Sequence, residues 1–401
     1  MVLSISYMAW LCLVHTHLFA VPRPLVGVAE LAIMVASLPL LLPRIPPGVV
    51  VAGALVLGLV ALLTLLRGSV DPKSFRDLLI PVVFYWLGRN VGDPAIADRA
   101  LAGALGVFFS LAAFELFALR TYTSVFDIYS YYISIGNMDP ASSPWMQDTR
   151  LQMNGMRPPG MGRTLSFLEG VLGRHRVSSV YLEPVSAGNL AAIVAAWGLA
   201  KGGEEWRRMV GFVAAAVLIV ILADSRFGMA IIPLLIAARL LLHGGSLYLP
   251  YLLPLLVGVL LLVLGATVNE VGDDFIGRLV ISGQELLGFD VTRVLGVDPT
   301  AWFADMGYAQ VVSQFSLLGG LALWTAFWAL PLPDERGGRL RALVAIYMAL
   351  ILCVSGTSLF AFKSAALMWF LVGCLVLDPA PQLRPGEAGQ QFGRYQGGMA
   401  A

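Results

Sequence analysis

The chain has 401 residues, of which 58% are hydrophobic and only 13% are charged, and its mean hydropathy is +0.80. A water-soluble protein cannot bury that much apolar surface, so the composition excludes a soluble enzyme, a disordered scaffold and a secreted disulfide module. The chain has 26 Lys and Arg residues and 25 Asp and Glu residues, so its formal net charge is +1, and no nucleic-acid partner is indicated. The composition predicts an all-α integral membrane protein.

The apolar runs predict how many times the chain crosses the bilayer, because a transmembrane helix needs about 20 mostly apolar residues. The candidate runs are 3–20, 25–42, 48–66, 77–90, 100–120, 179–200, 208–223, 227–242, 247–267, 301–330, 340–357 and 358–377. The run 77–90 is short for a span, and 358–377 contains Lys363. We expect a polytopic domain of about 12 transmembrane helices over residues 1–377.

Two basic turns predict the orientation, because Lys and Arg favour the cytoplasmic side. The turns 201–208 and 334–341 hold three Lys or Arg residues each, and an even number of predicted spans separates them. Placing both in the cytoplasm puts both termini there too. It leaves one large external loop, about 121–178, and a smaller one, about 268–300. The tail 378–401 is rich in Gly, Pro and Gln and is predicted to be disordered and cytoplasmic.

The external loops are unusually rich in arginine. They contain Arg150, Arg157, Arg163, Arg174, Arg176, Arg278 and Arg293. Since guanidinium groups bind phosphate in a bidentate manner, these residues suggest an anionic headgroup or polyphosphate substrate. Ion pairs with acidic residues of the same loop are the alternative. The tyrosines of 122–132 are expected to form an interfacial aromatic belt, with stacking on sugar rings as the alternative. His175 is expected to be a surface residue rather than a base.

Two short motifs place charged side chains where predicted helices begin at the outer surface. Glu183 precedes Pro184, so it is either a helix-start carboxylate or a group that orients an acceptor hydroxyl or takes its proton. Arg226 either pairs with neighbouring Asp224 or clamps a phosphate group.

Two further pairs occupy the outer ends of other runs. Asp305 and Tyr308 share a helix face, and Asp305 is either a capping acid or a general base. Lys73 and Arg76 are also three residues apart, and their simplest interpretation is as snorkelling anchors. No nucleotide-binding phosphate loop and no metal-ligand spacing is present, so neither a cofactor nor a metal is expected.

Together these motifs resemble those of a bacterial envelope family. Arg176, the Tyr181-Leu182-Glu183-Pro184-Val185-Ser186 run, Ser-Arg-Phe-Gly at 225–228, and Asp-x-Gly-Tyr at 305–308 with a later Gly-Gly follow one another in order. This order, with the span layout of residues 50–375, is similar to the polysaccharide polymerase and O-antigen ligase (Wzy/WaaL-like) superfamily. Exopolysaccharide polymerases, with their Phe-x-Glu-Pro-Ser-like run, are the most similar branch.

The resemblance implies a glycosyltransferase in the bacterial inner membrane. Such proteins join undecaprenyl-pyrophosphate-linked repeat units at the outer face, with inversion at the donor carbon and without a metal or nucleotide. The implied partners are the lipid-linked donor and acceptor, membrane lipids, a chain-length regulator and export proteins.

The resemblance also assigns roles to individual residues. Arg176 and Arg226 would bind the pyrophosphate, and Lys73 or Arg76 would assist. Asp305 stands where ligases carry a histidine, which favours a polymerase, and Glu183 competes with it as the base. The alternatives are an O-antigen ligase-type transferase and a transporter or flippase of lipid-linked sugars. A transporter would place polar residues at mid-membrane depth, whereas the notable charges here are predicted at the outer ends.

Overall fold

The computed structural model describes residues 1–139, 144–157, 160–268, 275–298, 303, 306–332, 334–356 and 358–376. Within these ranges the protein contains α-helices and short 3-10 helices, and no β-strand. The α-helices are α1 (Val2–His17), α2 (Arg23–Leu41), α3 (Pro47–Arg67), α4 (Pro72–Val91), α5 (Pro94–Phe117), α6 (Leu119–Val125), α7 (Ile128–Ser134), α8 (Glu169–Leu172), α9 (Pro184–Ala200), α10 (Trp206–Ala223), α11 (Arg226–Leu241), α12 (Leu253–Thr267), α13 (Phe275–Leu287), α14 (Val291–Val294), α15 (Gly307–Trp328), α16 (Glu335–Ile351) and α17 (Phe362–Gly373). The predicted tail 378–401 lies outside the described residues.

Six of the described helical segments are long and apolar enough to cross a bilayer. They are Arg23–Leu41, Pro47–Arg67, Pro94–Phe117, Gly203–Ala223, Gly244–Thr267 and Gly307–Trp328. Helices α1, α9 and α17 are apolar but only 16, 17 and 12 residues long. The all-α class is therefore confirmed and the protein is of the multi-pass membrane type, while the six long helices alone do not establish the predicted number of about 12.

Local sequence signals explain where the helices begin and end. The Asp71 carboxylate caps α4 by accepting the backbone N–H groups of Lys73 and Ser74 at 3.0 and 3.2 Å. The same helix ends at Gly92, whose φ of 56° is the left-handed conformation that glycine adopts without strain. Ser225 caps α11 in the same way as Asp71 caps α4.

Close helix packing depends on glycine. A Cβ atom on Gly88 of α4 would lie 2.1 Å from the carbonyl oxygen of Phe370 on α17, and one on Gly373 would lie 2.2 Å from that of Tyr85. The α4 and α17 backbones therefore touch, which is the small-residue packing that membrane helices favour.

The two basic turns lie together at one end of the helix bundle. The Arg336 guanidinium, at the start of α16, forms an ion pair of 3.0 Å with Glu205, at the start of α10. The carbonyl of Ala200, at the end of α9, accepts a hydrogen bond from Arg339. Arg163 and Arg176, which lie between α7 and α9, contact the end of α10 and therefore lie at the other end of the bundle.

The prediction that the tyrosines of 122–132 form an interfacial belt is wrong, because the structure buries them. Tyr122, Tyr131 and Tyr132 are at most 4% exposed. The hydroxyl of Tyr122 donates to the carbonyl of Ser179, and the ring of Tyr131 packs on His15 of α1. These side chains belong to the core because α6 and α7 fold back over the ends of α1 and α5.

Helix α15 is broken near its middle. Ser316 has a φ of 65°, which interrupts the backbone hydrogen-bond ladder. The Arg67 guanidinium donates to the carbonyls of Ser313, Gln314 and Gly296 at 3.0, 2.8 and 2.7 Å. Arg67 thus satisfies carbonyl groups that the break would leave unpaired in an apolar environment.

Candidate functional site

Arginines predicted from the sequence converge where α10 ends and α11 begins. Arg157, Arg163 and Arg176 all donate to backbone carbonyls between residues 221 and 224. Those carbonyls carry the partial negative charge of a helix C-terminus, which attracts cations. Arg226 lies on the first turn of the next helix. The structure therefore brings four predicted arginines to one place.

Asp224 is the buried carboxylate at the centre of this arginine cluster. Its Oδ2 atom lies 2.6 Å from Nε of Arg157, and its Oδ1 atom accepts the backbone N–H of Thr164 at 3.1 Å. Burial raises the pKa of Asp224, but the hydrogen bond and charge of Arg157 outweigh burial and hold it below its ordinary value. The alternative in which Arg226 pairs with Asp224 is wrong, because Arg157 occupies that carboxylate.

Arg163 and Arg176 hold the chain between residues 154 and 177 against the bundle. Arg163 donates to the carbonyls of His175 and Ile221, both at 2.5 Å. Arg176 donates to the carbonyls of Ala223 and Asn154 at 3.1 and 3.0 Å. Burial, and then the nearby charge of Arg157, lower the pKa of Arg176 to about 10. Three guanidinium groups around one carboxylate leave an excess of positive charge.

Arg226 differs from the other three arginines. Its side chain is exposed, and its Nη2 atom contacts Sδ of Met161 at 3.5 Å. Among the described residues no carboxylate lies within ion-pair distance of it. Its N–H donors are therefore available to an anion, at a helix start where the backbone dipole also favours negative charge.

Glu183 forms an ion pair that sequence reasoning missed. It precedes the first residue of α9, as predicted, and its Oε2 atom accepts from Nζ of Lys363 at 3.1 Å and from Oγ of Ser186 at 2.8 Å. Lys363 also donates to the carbonyl of Tyr181. A carboxylate already held by a lysine and a serine hydroxyl suits holding an acceptor hydroxyl better than deprotonating it.

The segment that leads to Glu183 is anchored by a second buried carboxylate. Glu115 of α5 accepts from Nε2 of His175 at 3.0 Å, from the backbone N–H of Ser178 and from that of Ser179 at 2.6 Å. His175 is 9% exposed, so its assignment as a surface residue is wrong. An acidic residue inside an apolar run was the available signal for this anchor, since such residues are rare unless they have partners.

One buried tyrosine lies beside the Glu183–Lys363 pair, and two others belong to the same core. Nζ of Lys363 lies 5.7 Å from the ring centre of Tyr181. The ring of Tyr347 lies 6.3 Å from that of Phe227, the residue after Arg226. Among the described residues the hydroxyls of Tyr132, Tyr181 and Tyr347 have no hydrogen-bond partner. Polar groups without partners at a buried position favour a ligand or water there.

Lys73 and Arg76 belong to a different part of the bundle. Arg76 forms ion pairs of 3.0 Å with Glu30 on α2 and 2.6 Å with Asp77. Asp77 also accepts from the side-chain amide of Gln314 on α15. Arg76 is therefore not a simple snorkelling anchor. Glu30 and Asp77 are 4% and 1% exposed, so this ion-pair network is buried among the helices.

Tyr308, the described member of the remaining predicted pair, is not part of the arginine cluster. The Tyr308 hydroxyl donates to the carbonyl of Ala349 on α16 at 2.9 Å, and no contact among the described residues joins Tyr308 to Arg226 or Glu183. Asp305 lies outside the described residues. Within the described ranges no three His, Cys, Asp or Glu side chains are grouped as metal ligands.

Comparisons with known proteins provide no assignment. No family model, no curated protein and no solved structure matches the chain. The arginine cluster, together with the Glu183–Lys363 pair and the sequence motifs, is what indicates a function for this chain.

Proposed function

We propose that this chain is a polysaccharide polymerase of the bacterial inner membrane. It would join undecaprenyl-pyrophosphate-linked repeat units at the outer face, by inverting glycosyl transfer that needs neither metal nor cofactor. In this proposal the chain spans the membrane about 12 times, both termini are cytoplasmic, and the segments 121–178 and 268–300 are external. The observation that carries the proposal is the excess of guanidinium groups beside Glu183, at one end of an apolar helix bundle.

The arginine cluster supports binding of a pyrophosphate ester. Arg226 contacts the phosphate oxygens directly, since its donors are not used by a carboxylate. The other three arginines, Arg157, Arg163 and Arg176, donate most of their N–H groups to the protein itself. Their contribution to phosphate binding is therefore mainly the positive electrostatic potential at the site. As the bond between the sugar and the pyrophosphate breaks, negative charge grows on the leaving oxygen, and fixed cations stabilise that charge.

The second half of the reaction concerns the acceptor. One hydroxyl oxygen of the acceptor sugar forms a bond to the donor's anomeric carbon, and the electron pair of the broken bond leaves with the pyrophosphate. A carboxylate takes the hydroxyl proton. Asp305 is the proposed base, with Tyr308, three residues later in the sequence, to orient a sugar. Glu183, held by Lys363, positions the acceptor, and the hydroxyls of nearby tyrosines receive its other polar groups.

Two isosteric variants test the roles of the carboxylates. The purified protein is incubated with lipid-pyrophosphate repeat units, and the products are separated by length. We expect wild-type protein to give a ladder, Asp305→Asn to give none while still binding donor, and Glu183→Gln to retain partial activity. Arg207→Gln, on an exposed side chain at the opposite end of α10, is the matched control and should give a normal ladder. No ladder from folded wild-type protein would overturn the proposal, and normal ladders from both acid variants would exclude a protein base.

A transporter of lipid-linked sugars is a second candidate, because one observation favours it. Helix α15 is discontinuous at Ser316, and Gln314 just before the break binds buried Asp77. Broken helices with polar side chains beside the break line the substrate sites of many transporters. Movement of a fluorescent lipid-linked sugar across proteoliposomes, without any change in glycan length, would support this candidate. A ligase-type transferase shares the proposed chemistry and differs in its acceptor, lipid A core.

A further inference from the structure

A cavity of about 510 Å³ lies between α7 and the 3-10 helix Pro144–Thr149. The side chains that line it are of mixed character and include Asp127, Tyr129, Ile133, Gln147, Asp148 and Arg150. The backbone N–H of Tyr129 donates to the carbonyl of Arg150 at 3.1 Å, so the two walls of the cavity are joined by a hydrogen bond. The volume lies in the range of about 300–1,000 Å³ that is usual for small-molecule sites.

Most polar side chains of this cavity have no partner within the described protein. Those of Gln147, Asp148 and Arg150 are exposed, and none of the three forms a side-chain hydrogen bond or ion pair with another described residue. Asp127 accepts the backbone N–H of Ser130 through its Oδ1 atom at 3.0 Å, which leaves its Oδ2 atom unpaired among the described residues. Hydrogen-bond donors and acceptors are therefore both available to a ligand.

Tyr129 adds a buried polar group to the cavity wall. The residue is 8% exposed, and its hydroxyl has no hydrogen-bond partner in the described part of the chain. The hydroxyls of Tyr131 and Tyr132 also lack described partners, but they are sealed inside the core, whereas that of Tyr129 is not. Because a tyrosine hydroxyl at a buried position usually has a partner, the one on Tyr129 favours a ligand in the cavity.

The chemistry of the lining favours a sugar over an ion. The carboxylates of Asp127 and Asp148 repel a phosphate group, and the guanidinium of Arg150 repels a cation. Within the described ranges no three His, Cys, Asp or Glu side chains are grouped to hold a metal. A neutral sugar has hydroxyls that donate to carboxylates and accept from guanidinium and amide groups, and it has a C–H face that can pack on Tyr129 or Ile133.

The chain connects this cavity directly to the arginine cluster. Arg150 precedes Arg157 by seven residues, and seven residues span at most about 25 Å. Between them, the carbonyl of Asn154 accepts a hydrogen bond from Arg176 at 3.0 Å. A glycan of several sugar residues can therefore reach the cavity while the pyrophosphate attached to it lies at the arginines.

We propose that this cavity binds sugar residues of the glycan chain at a distance from the bond that breaks in the reaction. The assignment of these sugars to a lipid-linked donor rests on the proposed function. Binding in the cavity itself requires no catalysis, so it can be measured with a glycan that carries neither lipid nor pyrophosphate.

The test is isothermal titration of the full chain in detergent with free oligosaccharides cut from the surface polysaccharide of the bacterium that encodes it. We expect saturable binding by wild-type protein. Arg150→Gln removes a charged donor and should weaken the affinity about tenfold, whereas Tyr129→Phe removes only a hydroxyl and should weaken it roughly fivefold.

Two control variants match these changes. Arg174→Gln removes an exposed arginine of the same segment that does not line the cavity, and Tyr131→Phe removes a hydroxyl that is sealed in the core. Both should bind the oligosaccharides as wild-type protein does. None of the four replaced groups bonds to another described residue, so all four variants should fold, which thermal unfolding checks.

The cavity is not a glycan site if folded wild-type protein shows no saturable binding, or if Arg150→Gln and Tyr129→Phe both bind like their controls. Saturable binding of Ca²⁺ that Asp148→Asn abolishes, without oligosaccharide binding, would identify a cation site instead. Failure of the polymerase proposal is a separate result. A protein that binds the oligosaccharides but makes no product ladder would retain the cavity site, and one that makes a ladder without binding them would lose only that site.

Discussion

Arg157 and Asp224 are 67 residues apart in the sequence, and their side chains meet at 2.6 Å. The contact ties the segment between α7 and α9 to the end of α10, and it fixes the chain two residues before Arg226. Asp224 has a φ of 45°, an uncommon conformation for a residue other than glycine. Arg157 stabilises that turn by donating to both the carboxylate and the carbonyl of Asp224.

Arg157 and Arg226 should differ in what they contribute. Arg157→Gln leaves a buried carboxylate without its partner, so we expect the free energy of unfolding to fall by about 3–5 kcal/mol. Arg226→Gln removes an exposed side chain and should change it by less than about 0.5 kcal/mol, while abolishing most polymer formation. Thermal unfolding in detergent and a product ladder measure the two effects. Equal destabilisation by both variants would contradict this division of roles.

Stability should depend on acidity through Asp224. Its pKa is lower in the folded protein than its ordinary value of 3.8, so the unfolded chain binds more protons in the interval between the two values. The contribution of Asp224 to stability is therefore fully present above about pH 5 and is lost as the pH falls through 3.8 and below. Unfolding temperatures measured from pH 6 to pH 3 should show this loss. The variant Asp224→Asn should be less stable than wild type at pH 6 and should lack this component of the pH dependence. If its pH profile equals that of wild type, Asp224 is not the group responsible.

Glu183 and Lys363 should be energetically coupled. Each of Glu183→Gln and Lys363→Gln leaves the other charge unpaired, so the double variant should be destabilised by less than the sum of the single ones. Because the Glu183 side chain is 27% exposed, we expect a coupling of roughly 1–2 kcal/mol, below that of a fully buried pair. A double-mutant cycle by thermal unfolding measures it. Additive effects would show that the contact of 3.1 Å contributes no coupling.

The proposed orientation can be tested by labelling. Ser166 and Gly203 are both exposed, and they lie near opposite ends of the bundle. The native cysteines Cys12, Cys353 and Cys374 are buried, so they should give little background. A membrane-impermeant maleimide should label Ser166→Cys in intact cells and Gly203→Cys only after the membrane is opened. The reverse pattern would overturn the orientation and the external placement of Arg226.

The all-α class was predictable from the sequence, because long apolar runs without strand-like alternation favour membrane helices; the predicted number of spans remains a prediction. The abundance of arginine in 121–178, and Arg226 at a predicted helix start, were also visible without a structure. The sequence could not show that Arg157 contacts Asp224 whereas Arg226 contacts Met161. Which arginine meets Asp224 depends on how the segment after α7 folds back, and that path is set by contacts between distant residues.

The partners of single charges in apolar runs were also beyond prediction. Lys363 makes the run 358–377 less apolar, but no neighbouring residue in the sequence indicates that its partner is Glu183. Glu115 gave no sign of its contact with the backbone of Ser178. The tyrosines of α7 were misplaced at the surface because aromatic composition is the same for an interfacial belt and for a core. In each case the deciding information was three-dimensional proximity.

The glycine contact between α4 and α17 has a consequence for biogenesis. Gly88 is synthesised before Gly373, so the surface of α4 around Gly88 has no packing partner until α17 has been made. Lys363, on the first turn of that helix, reaches Glu183 only when α17 arrives. A ribosome stalled after α16 would therefore hold a nascent chain in which Glu183 still lacks Lys363 as its partner.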